Sequence, residues 1–335
     1  MKKINFNMWK QALSTMPHVE KPQWQQLDIV SKWLLSTRSA VLIMTFMAAA
    51  LAGLIAWRDG VFDGVIWIVA TIGLMFAHAT NNLLNDLVDS KKGVDKNNYY
   101  RNQYGVHVIE DKLMSTPAFW RMLCFTGAIA LIAGAWLVLE RSGLTFNLMI
   151  AGAFFVLFYT WPLKYYGLGE PAVLLVWGPL MIGGTYYVTS GDWSWSVTWL
   201  SILFALGPTT VLFGKHTDKL ESDKEKKVNT LPVIIGEEWA RKSVSAMIIA
   251  QYLLTIILVV TGTFHWALLV IFFNIPLALD TLAVFREPKP TTPPEDYEPG
   301  TWPLWFSAYA FAHNRKFAGL FLLGVLIDVI SYKLF

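Results

Sequence analysis

Nine stretches of this 335-residue chain are apolar over roughly the 20 residues that a membrane crossing requires. They run at about 40–57, 65–84, 122–139, 142–160, 171–190, 193–213, 243–264, 266–285 and 317–335. Seven contain no Asp, Glu, Lys or Arg; Asp280 lies in the eighth, and Asp328 and Lys333 in the ninth. No stretch alternates strictly between apolar and polar residues, which disfavours a membrane β-barrel. Many spans carry β-branched residues, but an isolated segment in lipid must satisfy its own backbone, and that selects helix. The pattern predicts an all-α polytopic membrane protein with about nine transmembrane helices. Residues 1–38 hold no apolar run and do not resemble a cleaved signal peptide. They are expected to form a cytoplasmic or interfacial segment, with Trp24 to Leu35 along the membrane surface, ahead of a helical domain over 39–335.

Composition agrees: 55% of residues are hydrophobic and 15% charged, against about 25% charged in soluble domains. This excludes a disordered or collagen-like chain. The net charge of +3 is too small to argue for nucleic acid. Cys124 is the single cysteine, so neither a disulfide framework nor a cysteine-based metal site is possible. The location of the charges is more informative. With the N-terminus inside, the inner segments hold 24 of the 27 Lys and Arg residues, and only Arg58, Arg141 and Lys333 remain outside. The positive-inside rule therefore predicts a cytoplasmic N-terminus and a C-terminus on the opposite side of a cell membrane.

Two inner segments are long, 85–121 and 214–242, and they follow the second and sixth spans. Their matched positions suggest two four-helix halves plus a ninth helix. A third inner segment, 286–316, contains Pro288, Pro290, Pro293 and Pro294, then Trp302 and Trp305, and reads as a connection with interfacial anchors. The first long segment opens around Asn82, Asn85, Asp86 and Asp89. Asp86 and Asp89 are three residues apart and share a helical face, which Asn82 joins and Asn85 flanks. Such hard oxygens suit Mg²⁺, which takes one or two carboxylates and completes its shell with water and phosphate. Gly93 would let the chain turn and bring Asp95 back. The second segment holds Lys215, Asp218, Glu221 and Asp223. Either segment alone reads as a solvated, charged connection. Two at equivalent places could hold metal ions and grip a diphosphate, with Arg101 and Lys215 neutralising the remaining phosphate charge.

The run Asn85-Asp86-x-x-Asp89-x-x-x-Gly93-x-Asp95 resembles the first aspartate-rich motif of UbiA-type intramembrane prenyltransferases, in the form found in 1,4-dihydroxy-2-naphthoate polyprenyltransferases. Phe158 to Glu170 and Gly178 to Tyr187 are similar to other stretches of that subfamily. Glu221-Ser222-Asp223-Lys224, followed by Thr230-Leu231 and Gly236, resembles its second motif. The resemblance runs from about Trp33 to the last helix. It departs at the second motif, usually spaced DxxxD: four residues before Asp223 stands Lys219, and the nearer carboxylates are Asp218 and Glu221.

The resemblance implies a helix bundle around a central cavity and transfer of a polyprenyl chain from its diphosphate to an aromatic acceptor. It implies Mg²⁺ held by Asp86, Asp89, Asp218 and Asp223, and acceptor contacts from Lys164 and Glu170. Tyr159, Tyr165 and Tyr186 are candidates to face an allylic cation. Besides the naphthoate, 4-hydroxybenzoate, homogentisate, a chlorin or a glycerol phosphate lipid could serve as acceptor. A transporter and a catalytically inactive homologue are the competing readings. Transport sites usually lie mid-membrane, where these spans carry almost no charge.

Overall fold

A computed structural model of the protein describes residues 3–94, 105–295, 297 and 301–334. Among them, all regular elements are helical, apart from an isolated bridge between Tyr166 and Asn229. Three short helices open the chain: α1 (Phe6–Ser14), α2 (Lys21–Gln26) and α3 (Ile29–Ser36). The long helices are α4 (Leu42–Arg58), α5 (Gly64–Lys91), α6 (Thr116–Glu140), α7 (Leu144–Phe158), α8 (Gly169–Ser190) and α9 (Trp195–Asp218). The short α10 (Leu220–Glu225) and α11 (Leu231–Ile235) follow, then α12 (Glu237–Val260), α13 (Trp266–Arg286) and α14 (Phe306–Leu334).

Among the described residues, seven helices are long and apolar enough to cross a membrane: α4 with its 3₁₀ lead-in from Ser39, and α5, α6, α8, α9, α12 and α13. The shorter α7 is apolar throughout, and the 29-residue α14 carries Arg315, Lys316 and Asp328. The helices differ from the apolar windows mainly at their ends. Helix α5 continues through the first aspartate-rich run to Lys91, α9 reaches Asp218, and α14 starts eleven residues before position 317. Hydropathy marks the part of a helix that fits the hydrocarbon, whereas backbone hydrogen bonding carries the helix onward into polar surroundings.

The chain forms two compact units, residues 1–47 with 68–161, and residues 48–67 with 162–335. In the first unit the N-terminal helices are part of the core. Met8, Ala12, Trp24, Leu34 and Leu35 pack with Leu83 of α5, Phe119 and Leu123 of α6, and Val106 and Val108. Asp28 ties this segment together by accepting from Asn5 N, Trp9 Nε1, Val30 N, Ser31 N and Ser31 Oγ at 2.6–3.1 Å. Leu131, Ile132 and Leu139 of α6 and Ile150, Phe154 and Leu157 of α7 are exposed. Runs of large apolar side chains of this kind belong against lipid tails.

In the second unit α9 is the most enclosed of the seven candidate spans. Near its end Phe213 joins Ala240, Val244 and Ile248 of α12, Ala278 and Phe285 of α13, and Phe306 and Ala310 of α14. At Gly214 a β-carbon would stand 2.9 Å from the Phe306 carbonyl, so the start of α14 lies directly on α9. Helix α8 widens into π-helical geometry over Val176–Gly183, where Pro179 cannot donate a backbone hydrogen bond. Arg58 makes ion pairs with Asp59 (2.8 Å) and Asp328 (3.3 Å), and His265 N donates to Asp328 at 2.7 Å. Asp328, an acid inside an apolar run, is thus neutralised by a paired arginine.

Candidate active site

The first aspartate-rich run occupies the last two turns of α5, a continuous helix. The three-residue spacing puts Asp86 and Asp89 on one face, and both are buried, as is Asn82. Side chains distant in sequence hold them. Arg38 Nη2 lies 3.3 Å from Asp86 Oδ1 and donates to the Asn82 carbonyl at 3.1 Å. Asn82 Nδ2 donates to the Thr37 carbonyl at 2.8 Å, and Asn85 Nδ2 to Thr160 Oγ1 at 3.2 Å. Arg38 has φ 54 and ψ 51, left-handed values that cost a non-glycine residue roughly 1–3 kcal/mol. The strain is maintained where the guanidinium reaches α5. Beyond the helix Gly93 adopts φ +71 and the amide of Val94 donates to the Asp89 carbonyl at 2.9 Å, so the chain turns back as expected. Asp95 and Arg101 lie outside the described residues.

The second run lies where α9 gives way to α10. The structure separates the carboxylates that the sequence left open. Both carboxylate oxygens of Asp218 accept hydrogen bonds from the start of α14. Its Oδ1 accepts from Trp305 N (3.1 Å) and Phe306 N (3.0 Å), and its Oδ2 accepts from Ser307 N (2.9 Å) and Ser307 Oγ (2.6 Å). Lys289 Nζ stands 3.5 Å away. Asp218 therefore caps the N-terminus of α14, where orphan amides and the helix dipole favour an anion. Burial pushes the Lys289 ammonium below its ordinary range, and Asp218 opposes that shift. Glu221 is exposed. Asp223 is buried; its Oδ1 pairs with Lys219 at 3.1 Å, and its buried Oδ2 accepts no hydrogen bond among the described residues.

Glu170, expected at the acceptor, is likewise committed elsewhere. It is buried, with Oε1 2.6 Å from His216 Nδ1 and Oε2 accepting from Leu231 N at 3.4 Å. This contact joins the start of α8 to the end of α9 and to α11. Lys164 is buried, with its ammonium 5.7 Å from the centre of the Tyr165 ring. Lys215 and Tyr159 are half-buried. Tyr186 donates its hydroxyl to Asp59 Oδ2 at 2.8 Å, near the Gly191 turn that ends α8, so its polar end already has a fixed task. His78 shares a 2.7 Å hydrogen bond with Thr45 and reads as a satisfied structural histidine, while Asp280 is exposed.

No group of three or more His, Cys, Asp and Glu side chains with metal-binding geometry occurs among the described residues. A hard cation such as Mg²⁺ takes one or two carboxylates and completes its shell from water or phosphate oxygens. Asp86 and Asp89 form such a pair on α5.

An apolar helical frame with buried carboxylates at the ends of its helices defines an integral membrane protein with polar groups gathered at helix ends. Residues 46–297 match the UbiA prenyltransferase family, and the chain belongs to that family. The protein is a prenyltransferase. The chain is 26% identical to 2-carboxy-1,4-naphthoquinone phytyltransferase of Synechocystis over 72% of its length and 77% of that protein. It is 29% identical to 1,4-dihydroxy-2-naphthoate octaprenyltransferase of Escherichia coli over 65% of its length and 73% of that protein. A UbiA homologue from Archaeoglobus fulgidus, solved with GPP and Mg²⁺, superposes with a TM-score of 0.56 at 14% identity, covering 87% of this chain and 99% of that one. A UbiA homologue from Aeropyrum pernix gives 0.62 at 15% identity over 85% and 97%.

Proposed function

We propose that the protein is a Mg²⁺-dependent prenyltransferase that joins a polyprenyl chain to an aromatic acceptor of the 1,4-dihydroxy-2-naphthoate type, a step in making a menaquinone-type lipoquinone. The observation that carries the reading is the pair of buried carboxylates, Asp86 and Asp89, one turn apart at the polar end of an apolar helix. The acceptor class is supported by the NDxxDxxxGxD run and by the two naphthoate-type relatives.

In this reading Asp86 and Asp89 would hold the metal, and Arg38 fixes the orientation of Asp86. Mg²⁺, when bound, supplies positive charge to the diphosphate as the bond from the prenyl carbon to oxygen breaks. The electron pair of that bond leaves with the diphosphate, and the prenyl carbon becomes an allylic cation. An electron-rich ring carbon of the acceptor forms the new carbon–carbon bond, and for a naphthoate acceptor the carboxyl carbon departs as carbon dioxide. Apolar surroundings would keep water from the cation, and an aromatic ring such as Tyr159 would offer its face toward it. Lys164 binds the acceptor's anionic substituent. In the same reading the N-terminus lies on the cytoplasmic side, which the 24 basic residues of the inner segments support.

The test is incubation of the purified protein with radiolabelled geranylgeranyl diphosphate and a panel of acceptors, with Mg²⁺ or with EDTA. Prenylated naphthoate formed only with the metal is expected. Product with 4-hydroxybenzoate, homogentisate or a glycerol phosphate lipid alone would overturn the acceptor assignment. Undiminished product in EDTA would overturn the metal assignment.

A further inference from the structure

The second aspartate-rich run departs from its DxxxD pattern by carrying Lys219 where the first aspartate stands. In a segment thought to grip a diphosphate through metal-bound carboxylates, this exchanges an anion for a cation four residues before Asp223. Among the described residues, the neighbouring carboxylates in sequence and space do not replace the missing one. Asp218, one residue earlier, is saturated by the amides that open α14 and by Ser307. Glu170 is committed to His216 and to the backbone of Leu231. Glu221 is exposed. What remains buried is one carboxylate, Asp223, with one ammonium, Lys219, 3.1 Å from its Oδ1.

The backbone fixes this pair. Lys219 is the corner residue between α9 and α10, with φ −103 and ψ 7. Its carbonyl accepts from Asp223 N at 2.8 Å, and the carbonyl of Asp223 accepts from Val228 N at 2.8 Å. The Lys219 side chain retains 12% exposure against 3% for Asp223, so the ammonium lies between the buried acid and the open side of the corner. A lysine ammonium has three donors, and one carboxylate does not exhaust them.

We propose that Lys219 binds the diphosphate of the prenyl donor directly, its ammonium supplying at this segment the charge that a metal ion supplies where the position is aspartate. Asp223 then orients Lys219 through Oδ1 and keeps Oδ2 for a single cation. The inference rests on the prenyl-diphosphate reading above. Its consequence is that donor binding depends less on divalent metal than two aspartate-bound ions would make it.

The experiment measures the affinity of farnesyl thiolodiphosphate, an analogue that does not react, for the full-length protein in detergent by calorimetry, in EDTA and in Mg²⁺. The wild type is expected to retain binding in EDTA. Lys219→Gln should lose about tenfold there, as expected for removal of a charge-assisted contact, and less in Mg²⁺. Lys219→Arg should behave as wild type, which controls for damage to the corner, and Lys219→Asp should bind only in Mg²⁺. Equal affinity of wild type and Lys219→Gln in EDTA would overturn the proposal, and so would wild-type binding that appears only with Mg²⁺. Absence of binding by every form in both conditions would instead defeat the prenyl-diphosphate reading itself.

Discussion

At the scale of single residues the carboxylates have distinct tasks, and substitution should separate them. Asp86→Ala and Asp89→Ala are expected to lower turnover at least about a hundredfold, because both act on bound ligand; Asp89→Ala should leave thermal unfolding in detergent close to wild type, whereas Asp86→Ala should also lower it by removing the carboxylate that pairs with Arg38. Asp218→Ala should act on stability. It removes the carboxylate that accepts from the amides of Phe306 and Ser307 and that faces the ammonium of Lys289. Breaking a partly buried capped pair costs roughly 3 kcal/mol, and a depressed unfolding midpoint would register it. An unchanged midpoint for Asp218→Ala would contradict the capping role. The first run was legible in the sequence because its information is local: three-residue spacing on a helix decides which side chains meet. The contacts of Arg38 with Asp86 and of Glu170 with His216 were not, because each joins residues more than forty positions apart. In the sequence Arg38 counts only as another inner basic residue. The capping contacts of Asp218 were hidden for the same reason, since its partners are backbone amides near position 306.

At the scale of elements, Asp28 decides whether α1 and α3 remain one body. Burial alone would raise its pKa. Hydrogen bonds from Ser31, Trp9 and Asn5 outweigh that and hold the carboxyl well below the usual range. A group depressed in the folded state stabilises above its unfolded pKa, about 3.9. That stabilisation fades as pH falls through the lower folded value. Amide exchange in residues 5–36, corrected for intrinsic rates, should therefore be level from about pH 5 to 8 and accelerate below about pH 4. In Asp28→Asn the segment should be more labile at neutral pH and lack the acid step. Protection in the wild type that stays constant down to pH 3 would contradict this. Helix existence was legible because apolar length in lipid leaves few alternatives. Helix ends were not, since α5 and α9 continue past their apolar windows on backbone hydrogen bonds alone. The π-helical stretch of α8 had a visible cause in Pro179, but its geometry depends on packing.

At the scale of the whole molecule, the asymmetric distribution of Lys and Arg predicts orientation. In a Cys124→Ser background, a cysteine at Asp192, in the connection between α8 and α9, should react with an impermeant maleimide from outside intact cells. A cysteine at Lys227, between α10 and α11, should react only after permeabilisation. Labelling of both from one side would contradict the assigned topology. The network of Arg58, Asp59 and Asp328 belongs to this scale too, because it joins α4 to α14 across most of the chain. Arg58→Ala leaves Asp328 buried without its cation and should cost about 3 kcal/mol, read as a lower unfolding midpoint with little change in the substrate KM.

Helix α7 has only fifteen residues. At 1.5 Å per residue it spans roughly 22 Å, about 8 Å short of a typical 30 Å hydrocarbon layer. Lipid beside it must thin, or the segment 159–161 that follows must enter the acyl region. The protein is therefore matched to a thin bilayer at this point. Reconstitution in lipids of increasing acyl length should slow it progressively as the mismatch strains the strip of membrane from which a long-tailed substrate has to come.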